Sequence, residues 1–382
     1  MNDFSFRVPQ SIHFGLGSLK KLPEILSEEK PEKILLISDR GLEKAGAVQK
    51  VTDVLGKNKL SYDTYLDVQP NPTAAIVNEA LEKYRASNAD CILALGGGSP
   101  MDVAKAVGVL AKYGGTAMEY EGAHKVPGPI VPLIAIPTTA GTGSEVTAFS
   151  VITDTEHNYK FTIFSYELLP KYAVLDPEFI LSLPQTIAAS TGIDAMIHAI
   201  EAYLSRTASP FSDAMAEKAL ELIGGNIRLF CACRQDREAA CAMMSGSMFA
   251  GIAFAWARLG NVHAMSHPLS AFYGIAHGVA NSVLLPAVLE YNAISDRGRY
   301  EKIYHYIKKG KRDTGYFVPL MLVDEVRELL LDLDIPSDLS GFGVREEDIP
   351  AMAADAMKSG NILSNPRQTG QKDIEALYRS LL

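Results

Sequence analysis

A chain of 382 residues, 47% hydrophobic and 21% charged, has the composition of a globular protein with about two domains, each able to bury its own core. Its net charge of −9 excludes a general nucleic-acid binder, which needs a basic surface to meet phosphates. Four cysteines (91, 231, 233 and 241) make no paired zinc set and fit a reduced, cytoplasmic protein; no secretory signal is visible, and no uninterrupted apolar run reaches the roughly 18 residues that span a bilayer.

Residues 4–14 alternate partly and contain Pro9, which suits an edge strand or hairpin. A helix is expected over 18–28, then an apolar strand over 33–38 that stops at Asp39. A polar helix to about Leu60, a strand over 61–67 and a turn at Pro70–Thr73 lead to a helix ending near Ser87. Residues 91–95 are apolar on both faces, as in a parallel sheet covered by helices, and run into Gly96-Gly97-Gly98-Ser99-Pro100 and a helix over 101–110. Residues 131–136 form a fourth strand, and 173–177 are the last strand-like piece.

Beyond Pro184 the strand pattern vanishes. Helices are expected over 186–206, 210–230, 237–258, 262–272, 279–292, 295–309, 317–333 and 367–381, with a short one near 346–358. The predicted fold is an α/β N-terminal dinucleotide-binding domain, residues 1–180, plus an all-α C-terminal domain, residues 181–382.

The glycine run stands between a strand end and a helix start. There backbone N–H groups and the helix dipole can cradle a pyrophosphate, and three consecutive glycines exceed what a tight turn needs. Ser99 is the expected N-cap, Pro100 the first helical residue, and Asp102 falls at N3. The spacing is not that of the Rossmann fingerprint. Asp39 is placed either to bond a ribose 2′-hydroxyl, favouring NAD over NADP, or to make a simple turn. Thr138, Thr139 and Thr142 gather hydroxyls at another strand end.

The densest chemistry lies between Asp194 and His277, which holds four of the eight histidines. Asp194 and His198 are four apart in an apolar helical run and share one face; His263 and His267 repeat the spacing, and His277 follows at the end of a third apolar segment. A lone histidine on apolar ground is ordinarily a core residue bonded to a carbonyl. A carboxylate and four imidazoles together are too costly to bury unless something satisfies them jointly, which a divalent cation does. Spacing alone does not choose the ligands or the metal.

Four segments carry a resemblance: Gly96 to Asp102, Ile136 to Glu145, Gly192 to Glu201, and His263-Ala264-Met265-Ser266-His267 with His277-Gly278. Over nearly its whole length the chain resembles the iron-containing (group III) alcohol dehydrogenases, and Asn365-Pro366-Arg367 fits them too. The resemblance implies a dehydroquinate-synthase-like fold with metal and nicotinamide meeting between the two domains. It implies Fe2+, with Zn2+ chemically possible, on Asp194, His198, His263 and His277, and a proton-transfer role for His267. Gly97, Gly98 and Ser99 would hold the NAD(H) pyrophosphate, Asp39 would face the ribose, and Asp102, Thr138, Thr139, Thr142 and Lys160 would line the rest of that cleft.

The reaction expected from it is reversible hydride transfer between a short-chain primary alcohol or diol and nicotinamide. Phe149, Phe254 and Ile362 adjoin the motifs and either line the substrate pocket or pack in the core. A zinc-dependent polyol dehydrogenase and a non-catalytic, oligomer-forming scaffold are the other readings of the same fold. A homodimer or higher homo-oligomer is expected, with the open edge of the N-terminal strand as the pairing element.

Overall fold

Strands that are apolar on both faces must be covered on both, and here they assemble into one parallel sheet. The computed structural model describes residues 6–8, 11–156, 159–310 and 315–382. The chain divides into two compact units, Arg7–Ser182 and Leu183–Leu382, the second also taking in Phe6.

The first unit contains strands β1 (Ser11–Phe14), β2 (Ile34–Ile37), β3 (Tyr62–Tyr65), β4 (Cys91–Gly96), β5 (Gly122–Ala123), β6 (Leu133–Pro137), β7 (Phe149–Asp154), β8 (Tyr159–Phe164) and β9 (Tyr172–Leu175). Its helices are α1 (Leu22–Glu29), α2 (Arg40–Lys44), α3 (Ala47–Lys57), α4 (Ala74–Ser87) and α5 (Gly98–Tyr113). Six strands form the sheet in the order β1-β9-β6-β4-β2-β3, with every pairing parallel. Successive side chains go to opposite faces. Leu35, Ile37, Ile92 and Ala94 pack with Val77 and Leu81 of α4 and Val103 and Val107 of α5. Leu36, Leu93, Leu95 and Ile134 pack with Leu22 and Leu26 of α1 and Val51 and Leu55 of α3. Each such Leu or Ile, fully buried, contributes about 1.5–3 kcal/mol.

β1 lies at the sheet edge and pairs with β9; residues 4, 5, 9 and 10 of the expected strand, Pro9 among them, lie outside the described residues. The polar helix expected to Leu60 is two helices, α2 and α3, because the chain turns at Gly46 with φ of 79°. A small sheet of β5, β8 and β7 has no counterpart in the sequence analysis, which assigned no element there. Its β7–β8 hairpin is antiparallel, pairing Ile152 with Phe161.

The second unit is helical: α6 (Gln185–Leu204), α7 (Pro210–Ala232), α8 (Arg237–Ala257), α9 (Asn261–Tyr273), α10 (His277–Asn292), α11 (Arg299–Ile307), α12 (Leu320–Asp332), α13 (Ile349–Ala356) and α14 (Gln371–Arg379). Small residues let α6, α7 and α8 approach closely. A Cβ on Gly192 would stand 2.9 Å from Met243 Cε, and one on Gly246 would stand 2.5 Å from Ile223 Cγ1. α8 is long and apolar enough to cross a membrane by length and composition, although Ser245 and Ser247 interrupt its apolar run. However, 67% of its most apolar stretch is buried in the protein, as in a core helix.

Candidate functional site

α6 carries Asp194 and His198 one turn apart, α9 carries His263 and His267 one turn apart, and His277 opens α10. His277 therefore begins a helix rather than ending an apolar segment. One ligand-type atom each from Asp194, His263 and His277 lies within 4.8 Å of the other two. His263 Nε2 is 3.7 Å and His277 Nε2 3.9 Å from Asp194 Oδ1. Asp194 and His263 are buried, and His277 is half-buried.

His198 stands beside this set rather than in it. Its ring stacks on His263, with centroids 4.6 Å apart, and on Phe254 at 4.4 Å. The His267 ring is tilted against His277 at 5.6 Å. Burial disfavours charge on Asp194, but His198, His263 and His277 outweigh it and hold the carboxyl well below the usual carboxylate range. Burial likewise opposes a charged His263, yet hydrogen bonds to Asp194 and Glu201 push it up to about 9.

Two residues the sequence analysis left without a role complete the cluster. Glu201, seven residues after Asp194 on the same face of α6, meets His263 Nδ1 at 2.6 Å. Asn281, one turn after His277, donates Nδ2 to Asp194 Oδ1 at 2.7 Å and lies 3.1 Å from both His263 Nε2 and His277 Nε2. Its buried Oδ1 has no hydrogen-bond partner. Both could have been found from the sequence, as polar residues at same-face spacing in apolar helices.

In the first unit, β4 ends at Gly96 with φ of 154°, and a Cβ there would stand 2.5 Å from Pro100 Cγ. Only glycine fits this turn. α5 then starts at Gly98 with Gly97 as its N-cap, so Ser99 is inside the first turn and Asp102 is not at N3. The chain enters the helix earlier than expected because the backbone of the glycines, not a serine side chain, makes the turn. Gly97 and Gly98 face the threonine loop: a Cβ on each would meet Thr139 Oγ1 at 3.2 Å and Thr142 Cγ2 at 3.1 Å. Thr138 N–H donates to Gly96 carbonyl O at 3.1 Å. The glycine turn and the threonine loop thus lie side by side at the N-terminus of a 16-residue helix.

Three charged residues tie this region together. Lys105, fully buried, donates Nζ to the carbonyl oxygens of Ser144 (2.8 Å), Thr147 (2.9 Å) and Phe149 (2.8 Å) and to Ser144 Oγ (2.9 Å). Asp102 Oδ1 accepts from Ser144 Oγ at 3.3 Å; burial raises its carboxyl to about 6 against the pull of Lys105. Lys160 donates to Asn71 Oδ1 at 2.7 Å, and burial lowers it to about 8. Asp39 caps α2 through Oδ1, which accepts from Leu42 N–H at 2.9 Å, so the turn role is real whatever else the carboxylate does. Of the pocket candidates, Phe254 stacks on His198, Phe149 stacks on Phe164 at 4.8 Å in the first unit, and Ile362 is buried in a short turn.

Comparison with known proteins bears on both units. Residues 9–177 match the profile of iron-containing alcohol dehydrogenases, and 188–382 match that of the C-terminal part of the Fe-containing alcohol dehydrogenase family. The chain is 38% identical over 381 residues to 1,3-propanediol dehydrogenase of Klebsiella pneumoniae, covering 98% of each protein. It is 38% identical over 377 residues to lactaldehyde reductase of Escherichia coli (strain K12), covering 96% of each. The crystal structure of a 1,3-propanediol oxidoreductase superposes with a TM-score of 0.95 at 37% identity over 100% of both chains. With both units matched by family profiles and relatives 38% identical over nearly their full length, the chain is a member of the iron-containing alcohol dehydrogenase family.

Proposed function

We propose that this oxidoreductase is a metal-dependent, NAD(H)-linked dehydrogenase of short-chain primary alcohols or diols, reducing the matching aldehydes in the reverse direction. The observation that carries this reading is the approach of Asp194 Oδ1, His263 Nε2 and His277 Nε2 to within 4.8 Å of one another in a largely buried site. One carboxylate with imidazole nitrogens is a donor set for Fe2+ or Zn2+, and burial of these groups together is otherwise costly. Asp194, His198, His263 and His277 would hold the ion, with the His198 ring stacked against that of His263.

When bound, the metal supplies Lewis acidity to a hydroxyl or carbonyl oxygen, and the nicotinamide carries the hydride. The neighbouring imidazoles favour the anionic form of Asp194, the form that ligates. His267, half-buried beside His277, takes or returns the hydroxyl proton, since an imidazole can both accept and donate one. Backbone N–H groups of Gly97, Gly98 and Ser99 hold the pyrophosphate at the N-terminus of α5. Thr138, Thr139, Thr142, Asp102 and Lys160 line the cofactor site around them. Asp39 favours NAD over NADP by repelling a 2′-phosphate. Phe254 supplies an apolar wall beside His198. The relatives' names, a propanediol dehydrogenase and a lactaldehyde reductase, support a small alcohol as substrate. A cytoplasmic homodimer or larger homo-oligomer, paired through the edge of β1, completes the proposal.

The test is metal-depleted protein reconstituted with Fe2+ or Zn2+ and assayed on ethanol, 1,3-propanediol and glycerol with NAD and NADP. The expected result is iron-restored NADH formation from ethanol or 1,3-propanediol, with NAD preferred. Activity confined to zinc and glycerol would replace it with a polyol dehydrogenase. No alcohol-dependent NADH with either metal would sink the enzyme reading. His267→Ala should lower kcat by about 100-fold or more while bound metal is kept. Loss of metal in step with activity would instead make His267 a ligand.

A further inference from the structure

On the reading that Asp194, His263 and His277 hold a divalent cation, we infer that Glu201 is the positioning residue of the centre. It fixes His263 with its proton on Nδ1 and its bare Nε2 toward the metal position.

Glu201 is only 7% exposed, and each of its carboxylate oxygens has a separate task. Oε1 accepts from the backbone N–H of Val262 at 2.8 Å. Oε2 lies 2.6 Å from His263 Nδ1. Val262 is in the first turn of α9, where backbone N–H groups have no partner within the helix, so this donor is fixed in place and cannot be turned away. An ionised carboxylate only accepts hydrogen bonds. Nδ1 must therefore carry the proton, and in the neutral ring the lone pair sits on Nε2. That nitrogen faces Asp194 Oδ1 at 3.7 Å and Asn281 Nδ2 at 3.1 Å.

The backing of Glu201 is built as tightly as the front. Gly260 precedes α9, and a Cβ there would stand 3.0 Å from both Glu201 Oε1 and Asn365 Oδ1. Asn365 Oδ1 accepts from Asn261 N–H at 3.3 Å and is itself held by Asn292, whose Nδ2 donates to it at 3.1 Å. Asn365 Nδ2 returns a bond to Asn292 Oδ1 at 2.8 Å, and Asn261 Nδ2 donates to Thr369 Oγ1 at 2.9 Å. The first two N–H groups of α9 are thus taken by Asn365 and Glu201. The start of the helix that carries His263 is held by the same carboxylate that sets the ring. Such outer partners orient a ligating histidine and raise its basicity.

The decisive variant is Glu201→Gln, which keeps size and shape but has one oxygen for two donors. Val262 N–H claims that oxygen, so the amide –NH2 turns to His263 Nδ1. The ring must then accept at Nδ1 and carry its hydrogen on Nε2, facing Asp194, where it cannot ligate.

The experiment titrates metal-depleted wild type and Glu201→Gln with Zn2+ by calorimetry. It also records the ring nitrogen and proton resonances of 15N-histidine-labelled, zinc-loaded protein. Expected are Zn2+ binding weakened by about 10- to 100-fold in the variant, and a far-downfield His263 Nδ1–H resonance in wild type that is lost or moved upfield. Equal Zn2+ affinity with an unchanged resonance overturns the role of Glu201 alone. If the variant does not fold, wild type decides: His263 bound to zinc through Nδ1 overturns the inference, and Nδ1–H beside zinc-bound Nε2 upholds it. Wild type that takes up no Zn2+ overturns the metal reading itself, a result distinct from the others.

Discussion

Replacing Asp194 by asparagine should leave a folded protein with less than about a tenth of the wild-type metal and turnover slower by about a thousandfold or more. Asparagine has nearly the same shape, and its side-chain oxygen can still accept the 2.7 Å bond from Asn281 Nδ2. What disappears is the one negative charge in the group of three. Exchanging the anionic donor for a neutral amide oxygen weakens the hold on a divalent cation, because no charge in the group of three then offsets the charge taken out of water. A thousandfold corresponds to about 4 kcal/mol of transition-state stabilisation, a fair share of what a Lewis acid contributes.

The metal-free form should also melt a few degrees lower. The imidazoles outweigh the burial cost of the Asp194 carboxylate, so removing its charge gives up net stabilisation and leaves buried His263 without its anionic partner. Elemental analysis, steady-state kinetics and a melting curve on one preparation check all three parts. An Asp194→Asn protein that keeps its metal and its turnover would mean that the cluster is not the catalytic centre.

The second large effect is on stability and lies in the first unit. Lys105→Met should lower the melting temperature by about 6–12 °C, the consequence of losing about 3 kcal/mol. Methionine fills the same tunnel through the core, so little packing is lost. The carbonyls of Ser144, Thr147 and Phe149, all bonded by Nζ at 2.8–2.9 Å, are left buried without their donor. An unmet buried acceptor costs about 1–3 kcal/mol, and partial relaxation of the loop keeps the sum near the lower end. The same loop carries Thr142, which abuts Gly98, so the KM for NAD should rise about tenfold while kcat changes less, a loss of binding rather than of chemistry. Calorimetry and cofactor titration of the variant check this. A midpoint within a degree of wild type would mean that the loop is held by other contacts.

How far the sequence could be read follows from the range of each signal. Apolar periodicity is local. The strands β2, β4 and β6, and the helices α6 to α10, were therefore visible within a few residues of their ends. Where a local signal was weak or interrupted, the reading failed. Gly46 split one expected helix into two, and the β7–β8 hairpin went unassigned although Ile152 and Phe161 are buried partners in it. Gly97 rather than Ser99 caps α5 because the close approach to Thr139 and Thr142 shapes the turn. That constraint comes from a loop more than 40 residues away.

The site divides in the same manner. Same-face spacing along one helix was enough to mark Asp194 with His198, and His263 with His267, as groups that share a direction. Which of them converge depends on how α6, α9 and α10 pack, and no spacing within a helix contains that. Packing turns His263, rather than His267, toward Asp194, and brings Glu201 from 62 residues away to its Nδ1. Lys105 is the sharpest case. A lysine in a helix reads as solvent-facing, yet it is fully buried because acceptors 39 to 44 residues further on close around its ammonium. Residue identity and period settle which groups can do chemistry and on which face they lie. The meeting of those faces is settled only by the burial of apolar surface across distant segments, since that term depends on the whole fold and not on neighbours in the chain.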